Sequence, residues 1–249
     1  RSPFHNSPYS LEGGILLMDQ SIFIHPIAHI HSEFPTKFGI PRQSGLAPSL
    51  RAEILFEPEY RVAEAVRGLE EFSHVWLIWQ FSQAVRQGWS PTVRPPRLGG
   101  NKRMGVFATR SPFRPNNLGL SSVKLEEIRL DPQRGPVLLV SGADLLDGTP
   151  ILDIKPYLPY VDSHPDATGG FADLVKDHRL EVVCPPSLLE PLSPRQREAL
   201  LQVLEEDPRP SYQEDPARIY GMAFAGWEVR FSVEGAVLTV TQILPSREE

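Results

Sequence analysis

Three dense polar stretches in this chain have the residue types needed to hold a small charged ligand. The first is the turn Pro41-Arg42-Gln43-Ser44-Gly45, with one cation and one amide. The second runs from Thr109 to Leu120 (TRSPFRPNNLGL) and carries two arginines, two asparagines and two prolines. The third, Asp144 to Tyr157 (DLLDGTPILDIKPY), has an Asp-Gly turn followed by an extended Asp-x-Lys-Pro-Tyr. Turn-forming residues punctuate any loop. Three elaborate loops with convergent donors and acceptors exceed what turns require and point to one shared site.

Other candidates are weaker. His25, His29 and His31 share one face of a strand, a spacing that could ligate a metal. Pro26 interrupts them and Glu33 is the one carboxylate close by, so surface or edge-strand histidines are expected and no metal site. Cys184 precedes Pro185-Pro186 with no basic partner near in sequence, which disfavours a nucleophile. The sequence holds no GxGxxG after a strand, no Walker A, no HExxH, no CxxC and no GxSxG, so a nucleotide-like cofactor would have to bind outside the doubly wound fold.

The charge is unevenly spread. The 249 residues carry 25 basic and 31 acidic side chains, a net −6, which argues against a nucleic-acid partner until the distribution is examined. From Phe72 to Leu125, 54 residues contain no Asp or Glu and eight cations: Arg86, Arg94, Arg97, Lys102, Arg103, Arg110, Arg114 and Lys124. The rest therefore sums to 17 − 31, or −14. At the average acid content such a stretch would hold about seven acids. It reads as a surface that must not repel an anion, or else as apolar strands with a solvated basic loop.

The elements that must position these residues read as short strands. The 26 prolines are about twice the usual share and disfavour long helices. Ser21–His31, Ala52–Phe56, Ser73–Phe81, Gly105–Thr109, Ser121–Leu130 and Val137–Ala143 are β-like. Tyr60–Glu71 could form one short helix. This pattern predicts a mainly β chain: a small, closed or nearly closed barrel of mixed topology over residues 18–165. A polar linker follows at 166–177, then a smaller α+β domain at 178–249. There, Ser193 caps a helix to Asp207 through a capping box with Gln196, and Trp227–Val233 and Ala236–Ile243 flank a hairpin turn at Glu234-Gly235. The polar stretch Arg1–Leu17 reads as an appended leader ahead of a natural start at Met18. One cysteine permits no internal disulfide, and no apolar run is long enough for a membrane helix, so a cytoplasmic protein is expected.

The strings RGLEEFSHVWLIWQF, GWSPTVRPPRLGGNKRMGVFATRSPFRPNNLGLSSVKL and DGTPILDIKPYLPY resemble the TsaA-like (TrmO) family of S-adenosylmethionine-dependent tRNA methyltransferases. DPRPSY at Asp207–Tyr212 is similar to the motif of that family's C-terminal domain. The resemblance covers roughly Ile22 to Glu249. It implies a homodimer with a non-Rossmann barrel that methylates N6 of threonylcarbamoyladenosine at position 37, in the anticodon loop of threonine tRNA. Carried over by residue, it places S-adenosylmethionine at Arg42, Gln43, Ser44, His74, Gln83, Arg110, Leu120 and the run Asp144, Leu145, Leu146, Asp147, Gly148, Thr149. Near its first strand the family tends to read Ile-Arg-Ser-Pro, whereas this chain reads Ile30-His31-Ser32-Glu33.

A sulfonium cofactor needs donors for its carboxylate, acceptors near its cation and an apolar slot for its ring. Arg110 supplies the first and Asp147 the second. The urea-like target nitrogen also needs a proton acceptor, for which Asp147 is the candidate. Arg86, Arg94, Arg97, Lys102, Arg103 and Arg114 are expected on RNA phosphates, with Trp89 and Phe107 interleaved. Three other readings stay open on the residues: a non-catalytic RNA-binding barrel, a metal hydrolase using the histidines, and a methyltransferase with another acceptor.

Overall fold

The computed structural model of the chain describes residues 9–12, 15–18, 22–83, 89–95, 102–210 and 215–246. Strands β1 (Tyr9–Glu12) and β2 (Ile15–Met18) pair as an antiparallel hairpin. Six strands then close a barrel: β3 (Ala28–His31), β4 (Arg51–Phe56), β5 (His74–Gln80), and, beyond the two-residue strands β6 (Thr92–Val93) and β7 (Met104–Gly105), β8 (Leu118–Asp131), β9 (Gly135–Ser141) and β10 (Thr149–Pro156). Their order around the barrel is β10-β3-β4-β9-β8-β5. β6 and β7 form a separate antiparallel ribbon.

Closure follows from the period-2 pattern. On β5, Val75, Leu77 and Trp79 turn inward while His74, Trp76, Ile78 and Gln80 stay half-buried. Ala28, Ile30, Ile54, Leu138 and Ile151 meet them in the core. All barrel ladders are antiparallel. The barrel is thus not of the mixed topology expected; a parallel pair occurs instead in the second sheet, between β11 (Glu181–Val183) and β14 (Val237–Pro245). That sheet runs β11-β14-β13-β12, with β12 (Tyr220–Phe224) and β13 (Trp227–Glu234) antiparallel.

Three elements differ from the sequence expectation. Residues 22–27, expected in the first strand, stay outside it: Ile22 and Phe23 are exposed, and Pro26 lacks the N–H a ladder needs. The short helix expected over Tyr60–Glu71 is three 3-10 turns, Pro58–Tyr60, Ala63–Val66 and Leu69–Glu71, interrupted by Gly68 in the left-handed region at φ 85°. The strand expected over Gly105–Thr109 stops after Gly105. Val106–Ala108 is a 3-10 turn whose Val106 N–H donates to the Pro91 carbonyl at 2.9 Å. The helix Pro194–Glu205 has the capping box anticipated for Ser193 and Gln196, and it ends before Asp207, a non-glycine residue at φ 53°.

The second core is not made by the C-terminal part alone. Phe34, Ala47 and Leu50, from the long connection between β3 and β4, are buried with Leu200, Leu204, Tyr220, Met222, Phe224 and Phe231. The Phe34 and Phe224 rings meet edge to face, with centroids 5.8 Å apart. Gly39 lies so close to Met222 that a Cβ there would sit 2.1 Å from the sulfur. Arg195 grips Glu33 through both nitrogens, at 2.8 and 3.3 Å, and the Ala225 N–H donates to the Glu33 carbonyl at 2.9 Å. Phe34→Ala, which truncates a side chain buried in this shared core, is expected to cost about 3–5 kcal/mol in denaturant unfolding. A loss below about 1 kcal/mol would show that the connection is not anchored there.

Candidate active site

One face of the barrel opens into a cavity of about 930 Å³, within the range of small-molecule sites. Its apolar wall comes from Trp79 and Phe81 at the end of β5, and from Leu118 and Leu120 at the start of β8. Gly119 faces Trp79 so closely that a Cβ would lie 2.2 Å from the indole, so only glycine lets the ring pack against β8. The indole Nε1 donates to Ser121 Oγ at 3.0 Å, and Ser121 Oγ donates to Asp144 Oδ1 at 2.6 Å.

Asp144 lies in the cavity wall. Burial pushes its carboxyl pKa up, and the Ser121 hydroxyl, the nearby Arg110 charge and the Ser44 N–H offset this only in part. Arg110 donates to Gln43 Oε1, which joins the first and second polar stretches. Lys37 Nζ donates to the Gln83 carbonyl at 2.7 Å and links the β3–β4 connection to the segment after β5. Arg114 turns into its own loop, donating to the Thr109 carbonyl at 2.9 Å.

The Asp-Gly turn of the third stretch is stapled to β3. Asp147 N–H donates to the Phe34 carbonyl at 2.9 Å and Gly148 N–H to the Ile30 carbonyl at 2.8 Å. The Asp147 carboxylate accepts from Ser32 N–H at 3.0 Å and lies 3.3 Å from His31 Nδ1. His29 is held by Glu57 at 2.5 Å. Among the described residues, no three His, Cys, Asp or Glu side chains are grouped closely enough to hold a metal ion.

Residues 29–163 match the tRNA-methyltransferase O N-terminal domain, and residues 178–246 match the TrmO C-terminal domain. The chain belongs to the tRNA-methyltransferase O family. The tRNA (adenine(37)-N6)-methyltransferase of Escherichia coli (strain K12) is 42% identical over 227 residues, spanning 88% of this chain and 96% of that protein. A Pseudomonas aeruginosa relative, named for S-adenosylmethionine-dependent methyl transfer, is 43% identical over 215 residues, spanning 80% of this chain and 87% of that one. A crystal structure of TrmO from P. aeruginosa superposes with a TM-score of 0.74 at 35% identity, covering 91% of this chain and 98% of that one.

The structure brings most of the residues carried over from the TrmO family to one place. Arg42, Gln43, Gln83, Arg110, Leu120, Asp144, Leu146 and Thr149 line the cavity. Ser44 adjoins it through its N–H to Asp144. Leu145 is buried in the barrel core behind it. Asp147 and Gly148 stand outside the lining, on the turn tied to β3. His74 is not brought to the cavity. It opens β5, whereas the cavity lies at the Trp79–Gln80 end, about 20 Å along the strand, and it bonds Ser73 Oγ at 2.9 Å. Arg94, Lys102 and Arg103 are exposed, while Arg86 and Arg97 lie outside the described residues. Trp79, Phe81 and Lys37 were missed in the sequence. The glycine inside the β8 pattern was the signal that a large ring approaches there.

The C-terminal part reaches the site through DPRP. Arg42 Nη2 donates to the Arg209 carbonyl at 3.2 Å. The Arg209 guanidinium binds Asp207 at 2.8 and 3.0 Å, and His178 Nε2 lies 3.1 Å from the same carboxylate. Burial raises the Asp207 pKa, but the Arg209 and His178 bonds outweigh it and hold the carboxyl below the usual range. A depressed carboxyl stabilises the fold above its unfolded pKa and loses that contribution as pH falls through the folded value. Arg209→Ala leaves Asp207 largely buried without its arginine and is expected to cost about 3 kcal/mol at neutral pH. As pH falls through the depressed folded value the Asp207 charge is lost, and the gap to wild type should shrink. Thermal unfolding across pH checks both, and a gap that does not change with pH would contradict the assignment.

Proposed function

We propose that this chain transfers the methyl group of S-adenosylmethionine to N6 of threonylcarbamoyladenosine at position 37 of threonine tRNA, as a cytoplasmic homodimer. Membership of the TrmO family carries the coarser statement, a tRNA methyltransferase acting on adenine 37. The observation that carries the reading is the cavity, where residues from all three polar stretches converge. The donor set fits the cofactor. Arg110 with its amide partner Gln43 suits a carboxylate, and Trp79, Phe81 and Leu120 offer an apolar slot for a ring. Bound there, S-adenosylmethionine supplies an activated methyl group on a cationic sulfur.

What the chain's own residues supply is orientation, exclusion of water and a proton acceptor. Positioning of this kind contributes about 7–11 kcal/mol to a displacement. The target nitrogen is urea-like and must lose a proton. Of the two acids considered at this turn, Asp144 stands in the cavity wall with a raised pKa, which makes it the stronger base. Asp147, the candidate from sequence, is engaged by Ser32 and His31 outside the lining. Arg94, Lys102 and Arg103 are exposed for phosphate contacts, within a stretch free of acids.

Nucleoside mass spectrometry of tRNA from cells lacking the protein tests the function. The methylated threonylcarbamoyladenosine should vanish and return on complementation; an unchanged nucleoside profile would overturn the reading. Two variants test the roles. Arg110→Ala should weaken S-adenosylmethionine binding by roughly 1.5–3 kcal/mol, tenfold or more by calorimetry. Asp144→Asn should lower kcat by about 10²- to 10⁴-fold. The ionised Asp144 is the active form, so wild-type kcat should fall as pH drops through a value above the ordinary carboxylate range. A wild-type profile flat down to pH ~4 would remove Asp144 as the acceptor.

A further inference from the structure

The β6–β7 ribbon presents two aromatic rings that the barrel does not use. Trp89 lies just before β6, and Phe107 lies in the 3-10 turn after β7. The ribbon pairs Thr92 with Gly105 and Val93 with Met104, and the Val106 N–H donates to the Pro91 carbonyl. This framing sets the two ring centroids 6.1 Å apart with planes 30° from parallel. Both rings are open to solvent, Trp89 at 51% and Phe107 at 74% exposure. Rings that pack a core are buried, as Trp79 is at 7%. Phe107 borders the cavity, and Trp89 stands beyond it.

Their surroundings favour one kind of ligand. Arg94, Lys102 and Arg103 are exposed on the same ribbon, and Arg103 is braced by Thr92 Oγ1 at 3.0 Å. No acid occurs anywhere from Phe72 to Leu125. A polyanion with flat faces matches π surfaces set among cations, because each base can stack while its phosphate is neutralised. The cavity has its own ring slot at Trp79 and Phe81, so the exposed pair is left for a ligand that remains partly in water.

We propose that Trp89 and Phe107 form a stacking platform for an unpaired nucleotide adjoining the target adenosine. The inference rests on the tRNA reading above. The platform holds the neighbour in place once the target base has left the loop stack, and it fixes which nucleotide enters the cavity.

The test is a cycle between protein and RNA variants. The RNA is a tRNA anticodon stem-loop, intact or carrying one abasic nucleotide at each position flanking the target. Trp89→Ala should weaken binding of the intact stem-loop roughly five- to hundredfold, with S-adenosylmethionine affinity within about twofold. Trp89→Phe should recover most of the loss. Phe107→Ala should weaken the same RNA, and Phe107→Tyr should restore it. One abasic position should weaken binding to the wild type yet cost nothing further in Trp89→Ala. Wild-type binding with no loss in Trp89→Ala, or equal losses at every abasic position in both proteins, overturns the platform alone. A changed sedimentation coefficient in Trp89→Ala with RNA affinity kept would mean that the rings cover a second copy of the chain instead. A wild type that binds no stem-loop overturns the platform together with the tRNA reading.

Discussion

The site depends on the burial of the connection between β3 and β4 in two places at once. Phe34, Ala47 and Leu50 are sequestered in the C-terminal core, while the ends of the connection are stitched to the barrel. Ser32 Oγ donates to the Leu145 carbonyl at 2.8 Å, Gly45 N–H to Gly142 at 2.8 Å, and Gly142 N–H to Leu50 at 2.9 Å. The polar turn that carries Arg42 and Gln43 sits between these anchors and has little freedom left. A ligand meeting it finds donors whose ordering cost was met in folding, which is the basis of preorganised recognition. Among the described residues, the C-terminal part therefore acts on the cavity without lining it: it supplies the apolar anchor for Phe34 and the carbonyl for Arg42.

Two acids show how the same chemistry is turned to opposite ends. Asp207 is held ionised by a two-nitrogen grip from Arg209, and its depressed pKa marks a structural charge. Asp144 is enclosed with one hydroxyl, two backbone N–H groups (its own and that of Ser44) and a more distant guanidinium, too little to offset burial, and its pKa rises. Burial without full compensation costs stability, and an acid left in that state in a cleft is a candidate for reactivity. Asp147 is an acid on the same turn, but it is 43% exposed and tied to Ser32 and His31, and it orients the turn.

Much of this was legible in the residues, and the failures have physical reasons. The β-like runs located β4, β5, β8 and β9, although Ser73–Phe81 is apolar almost throughout and only the fold shows that β5 buries alternate residues. The helix Pro194–Glu205 was legible because a capping box is a local signal. The role of Phe34 was not: no pattern tells that a lone aromatic in a loop fills a core built some 170 residues later. The choice between Asp144 and Asp147 was likewise closed to the sequence. They are three residues apart on one turn, and only the fold decides which faces the cavity. Contiguous similarity misplaced His74 for a related reason. A strand that reaches the site carries motif residues along its whole length, and only its far end, at Trp79 and Gln80, lines the cavity.

The net charge of −6 and the acid-free stretch are two parts of one arrangement. Outside the stretch, acids and bases are largely paired locally: Glu53 meets Arg129 and Arg134, Asp131 meets Arg134, and Glu206 meets Arg179. Within it, Arg94, Lys102, Arg103 and Arg114 make no ion pair with a described carboxylate. A cation without a neighbouring acid projects its field over about a Debye length, ~8 Å at physiological salt, whereas a paired one is largely cancelled at short range. An approaching polyanion is thus repelled by most of the molecule and attracted at the ribbon beside the cavity. Such a field sets the orientation of encounter before any base is read. It gives selection a reason to keep acids out of the whole 54-residue stretch, in which five of the six described cations, Arg94, Lys102, Arg103, Arg110 and Lys124, are exposed.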